Sequence, residues 1–200
     1  KLVHLETPTN PLLELCDLTA ILNICKKHDI LMSVDNTFMS PYGQRPLELG
    51  VDVVMQSSTK SLSGHSDILG GVLTTNDDEL DERLRFLLKA TGGVPSSFDN
   101  WILLRSTKTL GLRYQKSSDN ATELAQWLAD QDNLDRVIYP GLKNHPQHEI
   151  ALKQQKTPNG EVIFGNMISI DIGAIEARDR FLERLDVFTL AESLGGVESL

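Results

Sequence analysis

The chain has 200 residues, 40% hydrophobic and 24% charged, with a formal net charge of −9. That length supports a sizeable core in one or two domains, and the composition is that of an ordinary globular protein. The acidic balance argues against a general nucleic-acid surface, leaves room for a local basic pocket for a small anion, and comes with no apolar run of membrane-spanning length.

The pattern along the chain predicts alternating strands and helices. "KLVHLE" reads as a short strand stopped by the turn "TPTNP". Asp17 is placed to cap a helix over Leu18, Ile21, Leu22 and Cys25 that ends near His28. "ILMSVD" (30–35) and "VDVVM" (51–55) are continuous apolar strands, which suits a parallel sheet covered on both faces. Between them "SPYGQRPLELG" is a loop with a short helix. "ILGGVLTT" (68–75) is a further strand in which Gly70 and Gly71 allow close backbone approach. "DDELDERLRFLLKAT" is a helix, acidic at its start and apolar at Leu80, Leu84, Leu87 and Leu88.

From about Ser96 the chain reads as helix through "NWILLRSTKTLGLRYQ" and "ATELAQWLADQ". The strand "RVIYP", a helix containing "HEIALKQQ", the strand "NMISIDI" and the helix "AIEARDRFLERL" follow, and "VFTLAESLGG" reads as a strand leaving for a glycine-rich loop. The first part is α/β and the second α+β. The boundary falls near residues 108–118, giving parts 1–112 and 113–200. Cys16 and Cys25 form neither a disulfide scaffold nor a zinc spacing, so reduced thiols in a cytoplasmic protein are expected. The chain opens at Lys1 and closes on "GGVESL", and both ends read as cuts.

One stretch asks for chemistry. "QSSTKSLSGHSD" (56–67) wraps a lysine in hydroxyl side chains directly after an apolar strand. Taking an ammonium out of water is costly, so Lys60 lies in a wet loop or has a task. Asp35 ends one strand and Lys60 lies just past another, and open α/β sheets bind ligands outside the carboxyl ends of their strands. A lysine there can form a Schiff base with an aldehyde. An aspartate opposite can hold the protonated ring nitrogen of pyridoxal 5'-phosphate, with Ser57 and Thr59 donating to its phosphate. Spacing alone leaves the plainer readings standing: a surface lysine, an aspartate capping the "NTF" turn, and hydroxyls that satisfy loop backbone.

"VHLETPTNP", "VDNTFMSPYGQRPLELGVDVVMQSSTKSLSGHSD", "RLRFL", "VIYPGL", "HPQHE" and "FTLAESLGGVESL" together resemble the transsulfuration family of pyridoxal-phosphate enzymes, and most of all its cystathionine γ-lyase branch. The resemblance runs in unbroken order over nearly the whole chain. It implies an α/β fold of type I: a parallel-rich sheet in a cofactor domain, then a smaller α+β C-terminal domain. It implies that Lys60 binds pyridoxal 5'-phosphate covalently and moves substrate protons, that Asp35 partners the pyridinium nitrogen, and that Ser57 and Thr59 lie at the phosphate. Asn10 falls near the cofactor's phenolic oxygen and the substrate carboxylate, Ser193 beside that carboxylate, and Glu192 before it in the loop over the substrate.

The implied activity is cleavage of cystathionine to cysteine, 2-oxobutanoate and ammonia in cysteine biosynthesis. Cystathionine γ-synthase and methionine γ-lyase remain alternatives, as does an inactive cofactor-binding fragment. The implied assembly is a homotetramer with sites shared across dimers. The family's upstream glycine-containing phosphate loop, stacking tyrosine and Tyr–Arg pair, and its downstream carboxylate-binding arginine, are not among these residues, so the isolated segment is expected to be inactive. "SLSGHSD" departs from relatives that carry an aromatic after the lysine and an asparagine before the glycine. His65 is read as structural, His145 and His148 as surface residues rather than a metal pair, and Trp101 and Trp127 as packing anchors.

Overall fold

The computed structural model describes residues 1–200. Strand β1 (Leu2–Glu6), helix α1 (Leu18–Lys27), β2 (Leu31–Asp35), the one-turn helices α2 (Ser40–Gly43) and α3 (Pro46–Leu49), β3 (Val53–Ser57) and β4 (Gly71–Thr74) form the first layer pair. The sheet order is β1-β2-β3-β4, with β1, β2 and β3 parallel and β4 antiparallel to β3. Asp17 caps α1 by accepting the Ala20 N–H at 2.9 Å, and His28 closes it, both as the local pattern predicts. Leu18, Leu22 and Cys25 of α1 then pack on Met32, Val34, Val51 and Val54, the first hydrophobic core.

One sheet face is covered by α1, and the other is covered only in part within this chain. The other face carries Leu2, Leu31 and Leu73, exposed at 61%, 41% and 53%. Strand β3 also runs two residues later than its apolar stretch. Gln56 and Ser57 continue the ladder against Val72 and Gly71, because backbone pairing does not require an apolar side chain.

Helices α4 (Asp78–Thr91), α5 (Ser97–Thr107) and α6 (Leu110–Ala129) follow. Helix α4 buries no residue, and Leu87 and Leu88 stay exposed. Trp101 and Trp127 are each 59% exposed, so neither is a packing anchor here: their helical periodicity is real, but nothing in this chain covers that stripe. Leu110 and Tyr114 of α6 join Met39, Leu62 and Ile163 in a second core, with the Tyr114 hydroxyl donating to Phe38 O at 2.6 Å. Burial pushes that hydroxyl well above its usual pKa, so it stays a donor.

The C-terminal part adds β5 (Arg136–Ile138), α7 (His148–Gln154), β6 (Ser169–Asp171) and α8 (Ile175–Leu182), with β5 and β6 antiparallel. Residues 187–190, "VFTL", are not a strand, since no partner strand lies beside them. His145 is buried, not a surface residue, and burial lowers its pKa. His148 is half-buried, stacks on Phe164 and hydrogen-bonds Pro140 O, and no three-residue metal cluster forms. No helix is long and apolar enough to cross a membrane.

Candidate active site

Because β2 and β3 are parallel neighbours, their C-terminal ends share one edge of the sheet. Asp35 ends β2, and the chain leaves β3 at Ser57 into a tight turn, Ser58–Leu62, that carries Lys60. Thr37 links the two strand ends. Its N–H donates to Asp35 Oδ1 at 2.9 Å, and its Oγ1 accepts the Ser57 N–H at 2.8 Å. The "NTF" turn thus does serve Asp35 as a cap, while the other carboxylate oxygen takes no hydrogen bond from the protein.

Lys60 sits at φ −90°, ψ −135°, outside the helical region in the middle of its turn. Its half-buried ammonium donates to Ser193 Oγ at 3.2 Å and has no carboxylate partner within ion-pair distance. Two sequence-predicted residues 133 apart are thereby brought together. The loop carrying Ser193 lies directly on the lysine turn. A Cβ on Gly195 would stand 2.8 Å from Ser61 N and 3.2 Å from the Lys60 carbonyl carbon. That approach is open only to glycine, and Gly195 also has φ +79°.

The remaining predicted residues are placed as follows. Thr59 directs its hydroxyl at Gly70, accepting its N–H at 3.0 Å and lying 3.4 Å from its carbonyl, the backbone-satisfying reading. Ser57 is half-buried, and its hydroxyl has no protein partner. Asn10 is exposed in the turn after β1 and is not joined to Lys60 or Ser193 by any hydrogen bond. Glu192 is exposed beside Ser193 and forms no ion pair. His65 hydrogen-bonds Ser63 O at 2.6 Å with an otherwise exposed ring.

Three further residues belong to this region. Glu6 is the register partner of Asp35, and its carboxyl is raised by partial burial and then by the Asp35 charge. Thr37 was legible only as part of a turn. Arg113 of α6 donates to Ser61 O at 2.8 Å, a contact with no side-chain pairing signature in the sequence. A shallow concavity of about 340 Å³ lies away from these residues, along Gln115, Asp119 and Phe164.

The donor set suits pyridoxal 5'-phosphate. An aldehyde needs an amine free of carboxylate, and Lys60 has one. A pyridinium N–H needs an open carboxylate oxygen, and Asp35 has one. The Ser57 hydroxyl is unengaged and can take a phosphate oxygen.

Comparison with known proteins agrees. The sequence model described as "Cys/Met metabolism PLP-dependent enzyme" matches residues 1–200. The chain is 49% identical over its whole length to 51% of a cystathionine γ-lyase of Bacillus subtilis, and 49% identical, again over its whole length, to 50% of a cystathionine γ-synthase of Mycobacterium leprae. The crystal structure of cystathionine γ-synthase from Xanthomonas oryzae in complex with cystathionine superposes on 99% of the chain and 50% of that protein, with a TM-score of 0.93 and 43% identity. The chain spans about half the length of the curated relatives it matches. The fold is that of the fold-type-I pyridoxal-phosphate enzymes, and the chain belongs to the pyridoxal-phosphate-dependent family of Cys/Met metabolism.

Proposed function

We propose that the protein containing this chain is a pyridoxal-phosphate-dependent carbon–sulfur lyase that cleaves cystathionine, with water, to cysteine, 2-oxobutanoate and ammonia. The observation that carries the reading is the Lys60 amine, without a carboxylate partner, meeting Ser193 at 3.2 Å at the sheet edge where Asp35 ends β2. When bound, the cofactor supplies an electron sink for the carbanion at the substrate α-carbon. Lys60 would hold the cofactor through its aldehyde, and its amine would move protons between the substrate α-carbon and the neighbouring carbons. Asp35, oriented by the Thr37 N–H, would offer its open oxygen to the ring nitrogen. Ser57 and Thr59 serve the phosphate, Thr59 through the turn that its bond to Gly70 holds. Asn10 and Ser193 receive the substrate carboxylate, and exposed Glu192 draws the far ammonium of cystathionine.

The equal identity to a γ-synthase supports one second reading, condensation of an activated homoserine with cysteine. The full-length protein is to be incubated with cystathionine, and separately with an O-acylated homoserine plus cysteine. Release of 2-oxobutanoate from cystathionine at the faster rate is the expected result. Faster formation of cystathionine from the second pair would replace the lyase by the synthase. We read the chain as residues 1–112 of a cofactor domain and 113–200 of a smaller domain, spanned by α6, within a cytoplasmic homotetramer whose isolated 200-residue segment is inactive.

A further inference from the structure

We propose that Arg113 is a positioning residue for the Lys60 amine, acting through the carbonyls of Ser61 and Leu62. The inference rests on the reading of Lys60 as the cofactor-bearing lysine. Arg113 lies on α6, 53 positions after Lys60. Its Nη1 donates to Ser61 O at 2.8 Å, and Nη2 donates to Leu62 O at 3.4 Å and Ser106 O at 3.0 Å. Nε donates to Thr109 Oγ1 at 3.1 Å. Every acceptor is neutral and no carboxylate pairs with this guanidinium. Half-buried without a counter-ion, the group is held entirely by that fork of oxygens, a geometry that suits the rigid planar donors of arginine.

The acceptors are what give the contact meaning. The carbonyls of Ser61 and Leu62 end the tight turn in which Lys60 leaves the helical region. Carbonyls at the end of such a turn lack partners of their own, and a cation satisfies them. The turn is shaped around this side chain: Gly64 has φ +70°, and a Cβ there would collide with the Arg113 guanidinium. On its other side the Gly195 backbone runs so close to the same turn that an added Cβ would stand 2.8 Å from Ser61 N. The segment carrying the amine is thus hydrogen-bonded on its carbonyl side from α6 and closely flanked on its N–H side by the loop bearing Ser193. A reacting amine displaced by about 1 Å loses up to about a hundredfold in rate, so the fork sets where Lys60 points as well as how firmly the turn is held.

The test uses the full-length protein with Arg113→Met, Arg113→Lys and Thr109→Val, and Lys60→Ala as the control for the underlying reading. Three quantities are measured: the rate at which added pyridoxal 5'-phosphate becomes borohydride-trapped on residue 60, mapped by peptide mass; kcat and KM; and the melting temperature. Arg113→Met is expected to slow trapping and kcat by about tenfold or more with KM within about threefold, as misorientation of a reacting group requires. Arg113→Lys is expected to restore part, because one ammonium reaches one carbonyl, and Thr109→Val to lose less, because it removes the Nε acceptor and the Thr109 hydroxyl's bond to Ser106 O but leaves both bonds to the lysine turn. A lower melting temperature with trapping and kcat within about twofold of the parent makes Arg113 a structural cap only and overturns the proposal. If Arg113→Met does not fold, unchanged trapping in both Arg113→Lys and Thr109→Val overturns it equally. Trapping elsewhere in Lys60→Ala at the parent yield overturns the reading of Lys60 instead.

Discussion

Glu6 and Asp35 face one another as register partners at the C-terminal ends of β1 and β2. Side chains at paired positions of parallel strands point to the same face, so two carboxylates share the edge where the site lies. Partial burial raises the Glu6 pKa, the Asp35 charge adds to it, and the Asn10 N–H and His4 oppose it. A carboxyl whose folded pKa lies above its unfolded value contributes stability at acid pH that is lost as pH rises through the folded pKa. Glu6→Gln in the cofactor-free full-length protein is therefore expected to raise the urea midpoint at pH 7 and leave it unchanged at pH 4. The gain is at most about 0.5 kcal/mol, since the partly buried Glu6 remains mostly open to solvent. A larger gain at pH 4 than at pH 7 would contradict the pairing.

Asp35→Asn preserves shape, and its amide oxygen still accepts the Thr37 N–H. A neutral amide does not hold a pyridinium charge, so turnover of the full-length enzyme is expected to fall by about a hundredfold or more with the melting temperature little changed. Steady-state kinetics beside a thermal scan checks this. Turnover within a few-fold of the parent would remove Asp35 from its role.

Gly195 and Gly160 both have positive φ, +79° and +84°, but only Gly195 has close neighbours. Alanine at either position meets about 1 kcal/mol of backbone strain. At Gly195 the new methyl also meets Ser61 N at 2.8 Å and Ser61 Oγ at 2.9 Å, and something must move. Gly195→Ala is expected to lower kcat at least about tenfold through displacement of the loop and the lysine turn, while Gly160→Ala costs stability alone. Equal kcat in the two variants would show that the loop does not set the lysine turn.

Glu192 is exposed, one residue before Ser193, and free of ion pairs. Cystathionine carries a second ammonium that methionine lacks, and a carboxylate near that end favours it. Glu192→Val is expected to lower kcat/KM for cystathionine and raise the relative rate on methionine, by about tenfold in the ratio. Competition between the two substrates reads it directly, and an unchanged ratio makes Glu192 a solvated loop carboxylate.

Local features of the fold were legible because their signals are local. Asp17, the apolar stripe of α1 and the end of β2 at Asp35 follow from capping and periodicity over a few residues. Lys60 and Asp35 stood out because apolar runs locate strand ends, and parallel pairing puts those ends together. Arg113, Gly64 and Gly195 did not stand out. Each contact has backbone on at least one side, which leaves no complementary pair of side chains in the sequence, and joins positions about 50 or more apart. The Trp101 and Trp127 stripes misled for the converse reason: periodicity shows that a face is apolar, and says nothing of what covers it.

The central claim is that Lys60, facing Ser193 at 3.2 Å, carries the cofactor. The direct measurement is borohydride reduction of the full-length protein loaded with pyridoxal 5'-phosphate, followed by peptide mapping, for the parent and Lys60→Ala. The account predicts a yellow parent with one pyridoxyl-lysine at residue 60, and a Lys60→Ala protein with neither the visible absorbance nor a trapped adduct. An adduct of normal yield in Lys60→Ala, on any other lysine, would contradict it.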